Sequence, residues 1–375
     1  MKGLLAAIVL AAVVVALGTL SQWSLRPVEA LLLLADLNSG ANNSLFKRVT
    51  PRPDRQPLSV AVDGRRLSGD LYLPAAKAGA GLVLVPGAAP EGKDDPRLVA
   101  LAQALARARF LVLVPDIANL RAQEIAAADR QPIQDAARFL LDERRMPGVG
   151  VAAISYAGIP ALLAALAEPG IDFVVAVGAP YDLTAITTFF TTGFFRDGPG
   201  QDWQRAQPNA YGKWVFVKAN ARRLDDSGDR ALLAGIAERK MADDAADVAD
   251  LTARLGPQGR AVMALLDNTD PAQVPALMAA LPPRIRAEIA AMDLAPRDLS
   301  RLAAKVFLIH GRDDRIIPWT ESAALARVAP KTELTLLDNL AHADLKPGQA
   351  ADAFALWRVV THLLAERDAL AERRP

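Results

Sequence analysis

Three side chains of the types that perform nucleophilic catalysis lie far apart in the sequence: Ser155, Asp314 and His342. A serine hydroxyl is a weak nucleophile near neutral pH, so it needs a base within hydrogen-bond reach and a carboxylate that fixes the tautomer of that base. The chain has only three histidines and no cysteine, which excludes thiolate catalysis and leaves few candidates for the base. Whether the three side chains meet depends on the elements that hold them.

Ser155 lies where a strand is predicted to turn sharply into a helix. The residues before it, 149–154, form a continuous apolar run that is typical of a strand buried on both faces. The residues after it are rich in Ala and Leu, which favours helix. A sharp turn between the two holds the hydroxyl out of the carboxyl edge of the sheet. The small residues Ala153, Ala157 and Gly158 leave the space that such a turn needs.

Residues 153–158, AISYAG, resemble the nucleophile elbow of the α/β-hydrolase superfamily, with alanine at two positions where GxSxG has glycine. In that superfamily the triad follows the order Ser, Asp or Glu, His, and this chain has the same order. Asp314 lies three residues after Gly311 in HGRDDRIIP, which resembles the HGxxD segment of the superfamily, and Asp313 is the alternative acid. His342 follows the predicted last strand, 28 residues after Asp314, which accommodates one helix and one strand between them.

The other two histidines have different expected roles. His310 ends a predicted strand, where we expect it to pack and to form hydrogen bonds. His362 lies on the predicted closing helix and is expected to be structural or solvated. The sequence therefore favours His342 as the base.

A tetrahedral intermediate needs two preorganised N–H donors for its oxyanion. Tyr156 follows the nucleophile at the start of a helix, where the helix dipole stabilises negative charge, so its amide is the first expected donor. The second donor is expected in the loop after the predicted strand ending in VPG, at Ala88 or, as the alternative, at Ala89. Pro86 replaces the histidine that the superfamily usually has there, which leaves the donor intact but changes what supports the loop.

Strands and helices alternate on both sides of Ser155. Two alternating runs joined by Asp63 and Gly64 predict a β-hairpin at the start. The other predicted strands cover 81–87, 110–116, 149–154, 171–180, 304–310 and 332–338, and the predicted helices cover 96–109, 121–145, 318–327 and 349–367. This alternation predicts an α/β fold with a mostly parallel, doubly wound sheet of the α/β-hydrolase type.

The alternation stops between 182 and 302, where Ala, Leu, Arg and Asp recur at helical spacing. We expect a helical cap over 182–302, inserted between two parts of the hydrolase core at 57–181 and 303–375. Nine of the 20 aromatic residues lie in the 36-residue window 181–216. They line an apolar pocket over the nucleophile, form the small core of the cap, or reach a membrane interface.

The N-terminus carries an unbroken apolar run over 3–20, near the lower limit for a helix that spans a bilayer. We expect an uncleaved signal anchor, a transmembrane helix over 1–22, with a cleaved export signal and a buried helix as the alternatives. The first two place the soluble domain at or beyond the membrane, and we expect it to be extracytoplasmic, either periplasmic or exported. Lys2 and Arg26 flank the run on opposite sides, so its orientation is weakly determined.

Residues 23–56 are expected to form a linker between the anchor and the core. A second apolar run within it, 28–37, is too short to span a bilayer. We expect that run to lie against the membrane or against the domain.

Composition limits the partners. Hydrophobic residues make up 52% of the chain, and the 23% that are charged nearly cancel to a net charge of +1, so there is no basic field for nucleic acid. Without cysteine and with three histidines, the chain offers no cysteine-ligated metal and little for a histidine-rich centre. We expect no metal, no cofactor and no nucleic-acid partner.

The resemblance covers roughly 58–181 and 303–368. It implies hydrolysis of an ester, thioester or amide through an acyl-serine intermediate, without cofactor or metal. The expected substrate is a small-molecule acyl compound with an apolar group. An acyltransferase that uses the same triad, and a non-catalytic, membrane-tethered binding module of the same fold, are the alternatives.

Overall fold

One eight-stranded sheet forms the centre of the molecule. The computed structural model describes residues 25–40, 42–341, 344–345 and 350–373. The strands are, in chain order, β1 (Asp54–Val62), β2 (Arg65–Leu73), β3 (Ala80–Leu84), β4 (Phe110–Pro115), β5 (Val149–Ile154), β6 (Ile171–Val177), β7 (Phe194–Phe195), β8 (Gln204–Arg205), β9 (Lys305–Gly311), β10 (Thr332–Leu337), β11 (Leu340–Ala341) and β12 (Asp344–Leu345). The short pairs β7 with β8 and β11 with β12 lie outside the central sheet.

The central sheet has the order β1, β2, β4, β3, β5, β6, β9, β10. β2 pairs antiparallel with β1 and with β4, and the other neighbours pair in parallel. Asp63 and Gly64 join β1 to β2 with φ values of 47° and 75°. Positive φ at both residues gives a two-residue hairpin turn whose twist matches that of the two strands. The expected mostly parallel sheet and its antiparallel opening hairpin are both confirmed.

Fifteen α-helices lie within the described residues. They are, in chain order, α1 (Arg26–Ser39), α2 (Leu45–Val49), α3 (Pro96–Arg107), α4 (Ala118–Arg121), α5 (Arg130–Arg138), α6 (Gly158–Ala167), α7 (Leu183–Thr192), α8 (Tyr211–Ala221), α9 (Ser227–Ala242), α10 (Ala249–Thr252), α11 (Pro257–Leu266), α12 (Val274–Ala279), α13 (Pro283–Met292), α14 (Thr320–Val328) and α15 (Ala350–Glu372). The helices expected after β3, Ser155, β9 and β10 correspond to α3, α6, α14 and α15.

The helix expected over 121–145 is divided instead. α4 ends before Gln123, whose φ of 59° is incompatible with a continuing helix. Asp129 then accepts a hydrogen bond from the amide of Ala126 and so begins a new turn, which leads into α5. The amphipathic pattern of the sequence continues through this break, because α4 and α5 both pack on the same side of the sheet.

The strands divide the core into two layers. Leu82 and Leu84 point to the face covered by α1, α3 and α15. Val83 and Val85 point to the other face, which is covered by α5, α6, α14 and the helices of the cap. This alternation within a continuous apolar strand is what burial on both faces of a parallel sheet requires.

Seven helices, α7 to α13, and the β7–β8 hairpin lie between β6 and β9. Asp182 begins this insertion by accepting hydrogen bonds from the amides of Thr184 and Ala185, the first turn of α7. The buried ring of Trp214 donates to Asp244, and buried Phe189 contacts Phe195 edge to face. Part of the aromatic window is therefore the core of the cap itself.

The segment 23–56, expected as a linker, is mostly structured. Ala30 and Leu33 of α1 are buried in the layer formed by α3 and α15. Glu29 accepts two hydrogen bonds, of 2.6 and 2.9 Å, from the buried guanidinium of Arg367 on α15. The linker prediction is wrong here. The apolar side of α1 packs against α15, a helix more than 300 residues later in the chain. The run 28–37 lies against the domain.

The predicted anchor, 1–22, lies outside the described residues and stays a prediction. Of the helices from Arg26 to Glu372 that the structure describes, none combines the length and the apolarity needed to cross a bilayer.

Candidate active site

Ser155 lies directly after β5 on a sharp turn that leads into α6. Its φ is 60°, in the left-handed region that non-glycine residues rarely adopt. Residues Ser155–Ala157 form a 3₁₀ turn, so strand, turn and helix follow one another as the sequence predicts. β5 lies between β3 and β6, which puts the hydroxyl at the middle of the carboxyl edge of the sheet.

The elbow accepts alanine at two positions but not at a third. Ala153 and Ala157 are both buried, so their methyl groups fit into the packing around the turn. A Cβ atom at Gly158 would lie 2.9 Å from the Cβ of Ala179, which follows β6. Glycine is therefore required where α6 begins to pack against that segment.

Ser155 opens onto a cleft of about 820 Å³. Its lining includes residues from the loop after β3, from the elbow, from the loop after β9 and from β11: Gly87, Ala88, Ala89, Ser155, Tyr156, Asp313, Arg315, Ile316 and Ala341. Loops that follow three strands of the sheet thus meet at one edge, as expected for parallel strands that end together.

The two expected oxyanion donors both line this cleft. The amide of Ala89 already donates to the carbonyl oxygen of Gly87 at 2.9 Å. The amide of Ala88 has no such acceptor in the described part of the chain. Tyr156 is the second residue of the 3₁₀ turn, where an amide has no acceptor within its own helix. The geometry therefore favours the amide of Ala88 over that of Ala89 as the second oxyanion donor, beside the amide of Tyr156.

Asp314 is buried in the loop after β9, and its orientation is fixed. Its Oδ1 accepts hydrogen bonds from the amides of Ile316 and Ile317 at 2.7 and 3.0 Å. Its Oδ2 lies 3.4 Å from Nε2 of His310. Asp313, the alternative acid, lines the cleft instead, and no hydrogen bond to its buried Oδ1 occurs among the described residues.

The structural roles expected for the other two histidines are present. Both ring nitrogens of buried His310 are engaged, since Nδ1 lies 2.7 Å from Oγ of Ser322 and Nε2 lies 2.9 Å from the carbonyl oxygen of Ile317. Nε2 must therefore carry a proton, because a carbonyl oxygen can only accept. His362 contacts Glu333, near the amino-terminal end of β10 and so at the opposite edge from Ser155.

His342 lies outside the described residues, but the residue before it does not. Ala341 lines the same cleft as Ser155. Arg312 donates its amide to the carbonyl oxygen of Leu337 at 2.7 Å. A Cβ atom at Gly311 would lie only 1.8 Å from the carbonyl oxygen of Leu340. The loop that carries Asp314 and the segment that leads into His342 are therefore in direct contact.

A smaller apolar cavity, of about 70 Å³, adjoins the cleft under the cap. Four residues line both spaces: Ile125, Tyr156, Gly212 and Val215. The aromatic rings of Phe190 on α7 and Phe216 on α8 line the smaller one and lie with centroids 5.5 Å apart. The cap aromatics thus divide between the pocket and the core of the cap.

A buried carboxyl group that the sequence did not indicate lies behind the elbow. Oε2 of Glu321, on α14, accepts hydrogen bonds from the amides of Tyr181 and Asp182 at 2.9 and 2.7 Å. Burial raises the pKa of Glu321 to about 8, against the effect of these two amides, and the carboxylates of Asp182 and Asp293 raise it further. Glu321 therefore ties α14 to the root of the cap. Only the packing of α14 against this segment identifies it.

No protein-family model matches the sequence, and no curated protein matches it. Three solved structures to which the chain is similar are those of a dienelactone hydrolase from Anabaena variabilis, an acylaminoacyl peptidase from Pyrococcus horikoshii and the esterase domain of a Rhodothermus marinus protein. The first shares 14% identity over 84% of this chain and 99% of that chain, with a TM-score of 0.45. The second shares 11% identity over 87% of this chain and 44% of that chain, with a TM-score of 0.49. The third shares 14% identity over 84% of this chain and 99% of that chain, with a TM-score of 0.43.

The chain's own geometry defines its class. A mostly parallel sheet opened by an antiparallel hairpin carries a serine on a strained turn between strand and helix, at the carboxyl edge of the sheet. A largely helical insertion follows the next strand. The protein has the α/β-hydrolase fold.

The contact between Gly311 and Leu340 predicts the effect of a single methyl group. In Gly311→Ala the new Cβ meets a backbone oxygen that cannot rotate away, so we expect a loss of about 1–3 kcal/mol in the free energy of unfolding. The matched control is Gly235→Ala in α9, where the Cβ would lie at an ordinary 3.5 Å from Leu251, and it should be neutral or stabilising. Urea denaturation followed by tryptophan fluorescence measures both. Equal midpoints for Gly311→Ala and wild type would contradict the close approach.

Burial of Glu321 predicts a pH-dependent stability. The carboxyl titrates at its ordinary value, 4.5, in the unfolded chain and at about 8 in the fold. Between these values the unfolded chain releases the proton first, so the wild type loses stability as the pH rises, by at most about 1.4 kcal/mol per pH unit.

Glu321→Gln removes this titration. We therefore expect the stability of the variant to rise relative to the wild type as the pH is raised from about 5 to about 8. Urea denaturation at several pH values measures the difference, with Glu91→Gln at an exposed position as the matched control. A difference between Glu321→Gln and wild type that is constant with pH would show that the carboxyl group does not bind its proton in the fold.

Proposed function

We propose that the protein is a serine hydrolase that cleaves a carboxylic ester, thioester or amide through an acyl-serine intermediate. The observation that carries the proposal is the position of Ser155, on a turn with a φ of 60° at the carboxyl end of β5 and in the lining of the large cleft. A hydroxyl held at a strained turn in an open cleft is accessible to substrate, because its own strand and helix lead away from it.

The roles of the five residues follow from the chemistry of acyl transfer. Ser155 attacks the carbonyl carbon while His342 takes the hydroxyl proton, and His342 then returns that proton to the leaving group. The amides of Ala88 and Tyr156 stabilise the oxyanion of the tetrahedral intermediate. Asp314 holds the imidazole tautomer. Water then attacks the acyl-serine with the help of the same groups, which releases the acid and regenerates Ser155.

The fixed carboxylate supports Asp314 as the acid. Two backbone amides hold one oxygen of Asp314, so its orientation does not depend on substrate. The contact of Gly311 with Leu340 brings its loop to the segment before His342. The lining of the cleft by Ala341 supports His342 as the base.

The cavity under the cap supports a substrate with an apolar acyl or alcohol group. Its walls include Leu183, Ile186 and Met292, in addition to two phenylalanine rings. Tyr156 lines both this cavity and the cleft, so an apolar chain in the cavity can extend from a carbonyl group near Ser155. Burial of such a chain contributes about 0.8 kcal/mol per methylene group.

The proposal includes a location at a membrane. Residues 1–22 anchor the chain, and the folded domain lies on the extracytoplasmic side. The support is the apolar run over 3–20, whose length suits a bilayer.

Labelling with a fluorophosphonate tests the serine and kinetics test its partners. We expect the wild type to be labelled and Ser155→Ala to be unlabelled. On a p-nitrophenyl ester, Ser155→Ala and His342→Ala should lose about 10⁶-fold in kcat and Asp314→Asn about 10⁴-fold. Absence of labelling of the wild type would indicate a non-catalytic binding module instead.

Two control variants sharpen this test. Asp313→Asn and His362→Ala remove the same chemical groups at neighbouring or remote positions, and both should keep most of the activity. A large loss of activity in Asp313→Asn with little loss in Asp314→Asn would identify Asp313 as the acid of the triad. Product analysis with an added alcohol distinguishes hydrolysis from acyl transfer, since an acyltransferase forms mainly the new ester.

Gly212 tests the role of the cavity. It lies in the first turn of α8 and lines both spaces, and a Cβ atom there would meet only Phe190, at an ordinary 3.7 Å. We expect Gly212→Ala to resemble the wild type. The larger side chain in Gly212→Leu fills space where the cleft and the cavity adjoin, so kcat/KM for long p-nitrophenyl esters should fall at least about tenfold relative to the acetate ester. An equal fall for all chain lengths would place the apolar group elsewhere.

A further inference from the structure

The first helix carries apolar side chains on two opposite sides. Ala30 and Leu33 point inward and are buried against the domain. Leu25, Val28 and Leu31, spaced at intervals of three residues, point outward and are 68%, 37% and 55% exposed. A helix that is apolar on its outward side is unusual for a surface in contact with water only.

Neighbouring segments extend this surface. α2 packs against α1 and exposes Leu45 and Val49. The ring of Phe354 on α15 is 59% exposed and lies 5.3 Å from that of Trp357, whose indole N–H donates to the carbonyl oxygen of Pro27 at the start of α1. We call the side chains of Leu25, Val28, Leu31, Leu45, Val49 and Phe354 the apolar face. They are six of the nine large hydrophobic side chains exposed in the described residues.

Five of the six side chains of the apolar face belong to the segment 25–50, and the exposed charge of that segment is positive. Among the described residues from 25 to 50, Arg48 is the one exposed charged residue. The two carboxylates of this segment are paired with cations: Glu29 binds Arg367, and buried Asp36 accepts from Ser44 and pairs with Lys47. An apolar segment that exposes a cation and no anion, as 25–50 does, is complementary to a lipid bilayer that contains anionic headgroups.

The chain before α1 favours the same partner. The apolar run over 3–20 ends five residues before Leu25, and five extended residues span at most about 18 Å. If this run crosses a bilayer, the start of α1 must lie within that distance of the hydrocarbon core. The headgroup region alone occupies about 5–8 Å on each side. Trp23, in the connection, is of a type enriched at membrane interfaces.

The apolar face is rigidly joined to the domain. Arg367, fully buried, binds Glu29 of α1 and the carbonyl oxygen of Ala108 after α3. Leu37, near the other end of α1, lines the cleft that contains Ser155. Contact of α1 with a surface therefore orients the whole domain, and one wall of the cleft belongs to the contacting helix.

We propose that the apolar face lies on a lipid bilayer, with its side chains in the headgroup region. This contact is additional to the predicted membrane segment and does not depend on the proposed hydrolase activity. Burial of the six side chains stabilises it, and attraction between Arg48 and anionic lipids adds to it.

Site-specific fluorescence tests the proposal without background, because the chain contains no cysteine. Leu31→Cys, Val49→Cys and Phe354→Cys each place one thiol on the apolar face. Each full-length variant is labelled with nitrobenzoxadiazole and reconstituted into phosphatidylcholine vesicles with a minor fraction of phosphatidylglycerol. We expect blue-shifted emission and several-fold stronger quenching by a shallow spin-labelled lipid than at the control position.

The control position is Val328, a 41% exposed residue at the end of α14, which packs on the opposite face of the sheet. The label in Val328→Cys should emit as in water and escape quenching. Circular dichroism confirms that each variant is folded. Water-like emission from all three labels on the apolar face would overturn the proposal. So would a blue shift that appears without lipid and grows with protein concentration, because it would show that a second copy of the chain covers the face.

Discussion

The left-handed backbone of Ser155 depends on packing from both sides of the elbow. A non-glycine residue at a φ of 60° costs of the order of 1 kcal/mol or more, and it persists only where the surroundings leave no alternative. Here β5 is paired on both edges, and Gly158 brings α6 against Ala179. The sheet therefore stabilises a backbone conformation that is unfavourable for a non-glycine residue such as Ser155, and this conformation is what exposes the hydroxyl.

The same edge holds several buried polar groups, and hydrogen bonds fix the position of each. Asp314 is held by amides of its own loop, His310 by Ser322 and the Ile317 carbonyl, and Glu321 by amides at the root of the cap. Buried groups of this kind are costly unless their hydrogen bonds are made. Their bonds thus fix the relative positions of the loop after β9, of α14 and of the cap.

The two faces of the sheet serve different purposes in the molecule. One face carries the cap and the apolar cavity beside the elbow. The other carries α1, α3 and α15, which are joined through Arg367, and on this side α1, α2 and α15 present the apolar face to the exterior. The cleft connects the two, since its lining runs from Ser155 to Leu37. A surface in contact with α1 would therefore lie beside one wall of the cleft that contains Ser155.

The sequence by itself determined the features that depend on local chemistry. Alternating apolar runs, the Asp63–Gly64 turn and the small residues around Ser155 predict the sheet, its hairpin and the elbow, because periodicity and turn preferences act over a few residues. The order of Ser155, Asp314 and His342 indicated the candidate triad in the same way, through the elements that precede each residue.

Only the tertiary structure decided the features that depend on distant contacts. The helix expected over 121–145 breaks at Gln123, and the expected linker forms α1 because Leu33 and Glu29 meet α15, a helix at the other end of the chain. The need for glycine at 311 and the buried carboxyl group of Glu321 likewise follow from neighbours that no local pattern identifies. Spacing predicts which face of an element is apolar, but the partner of that face is fixed only when the whole chain is packed.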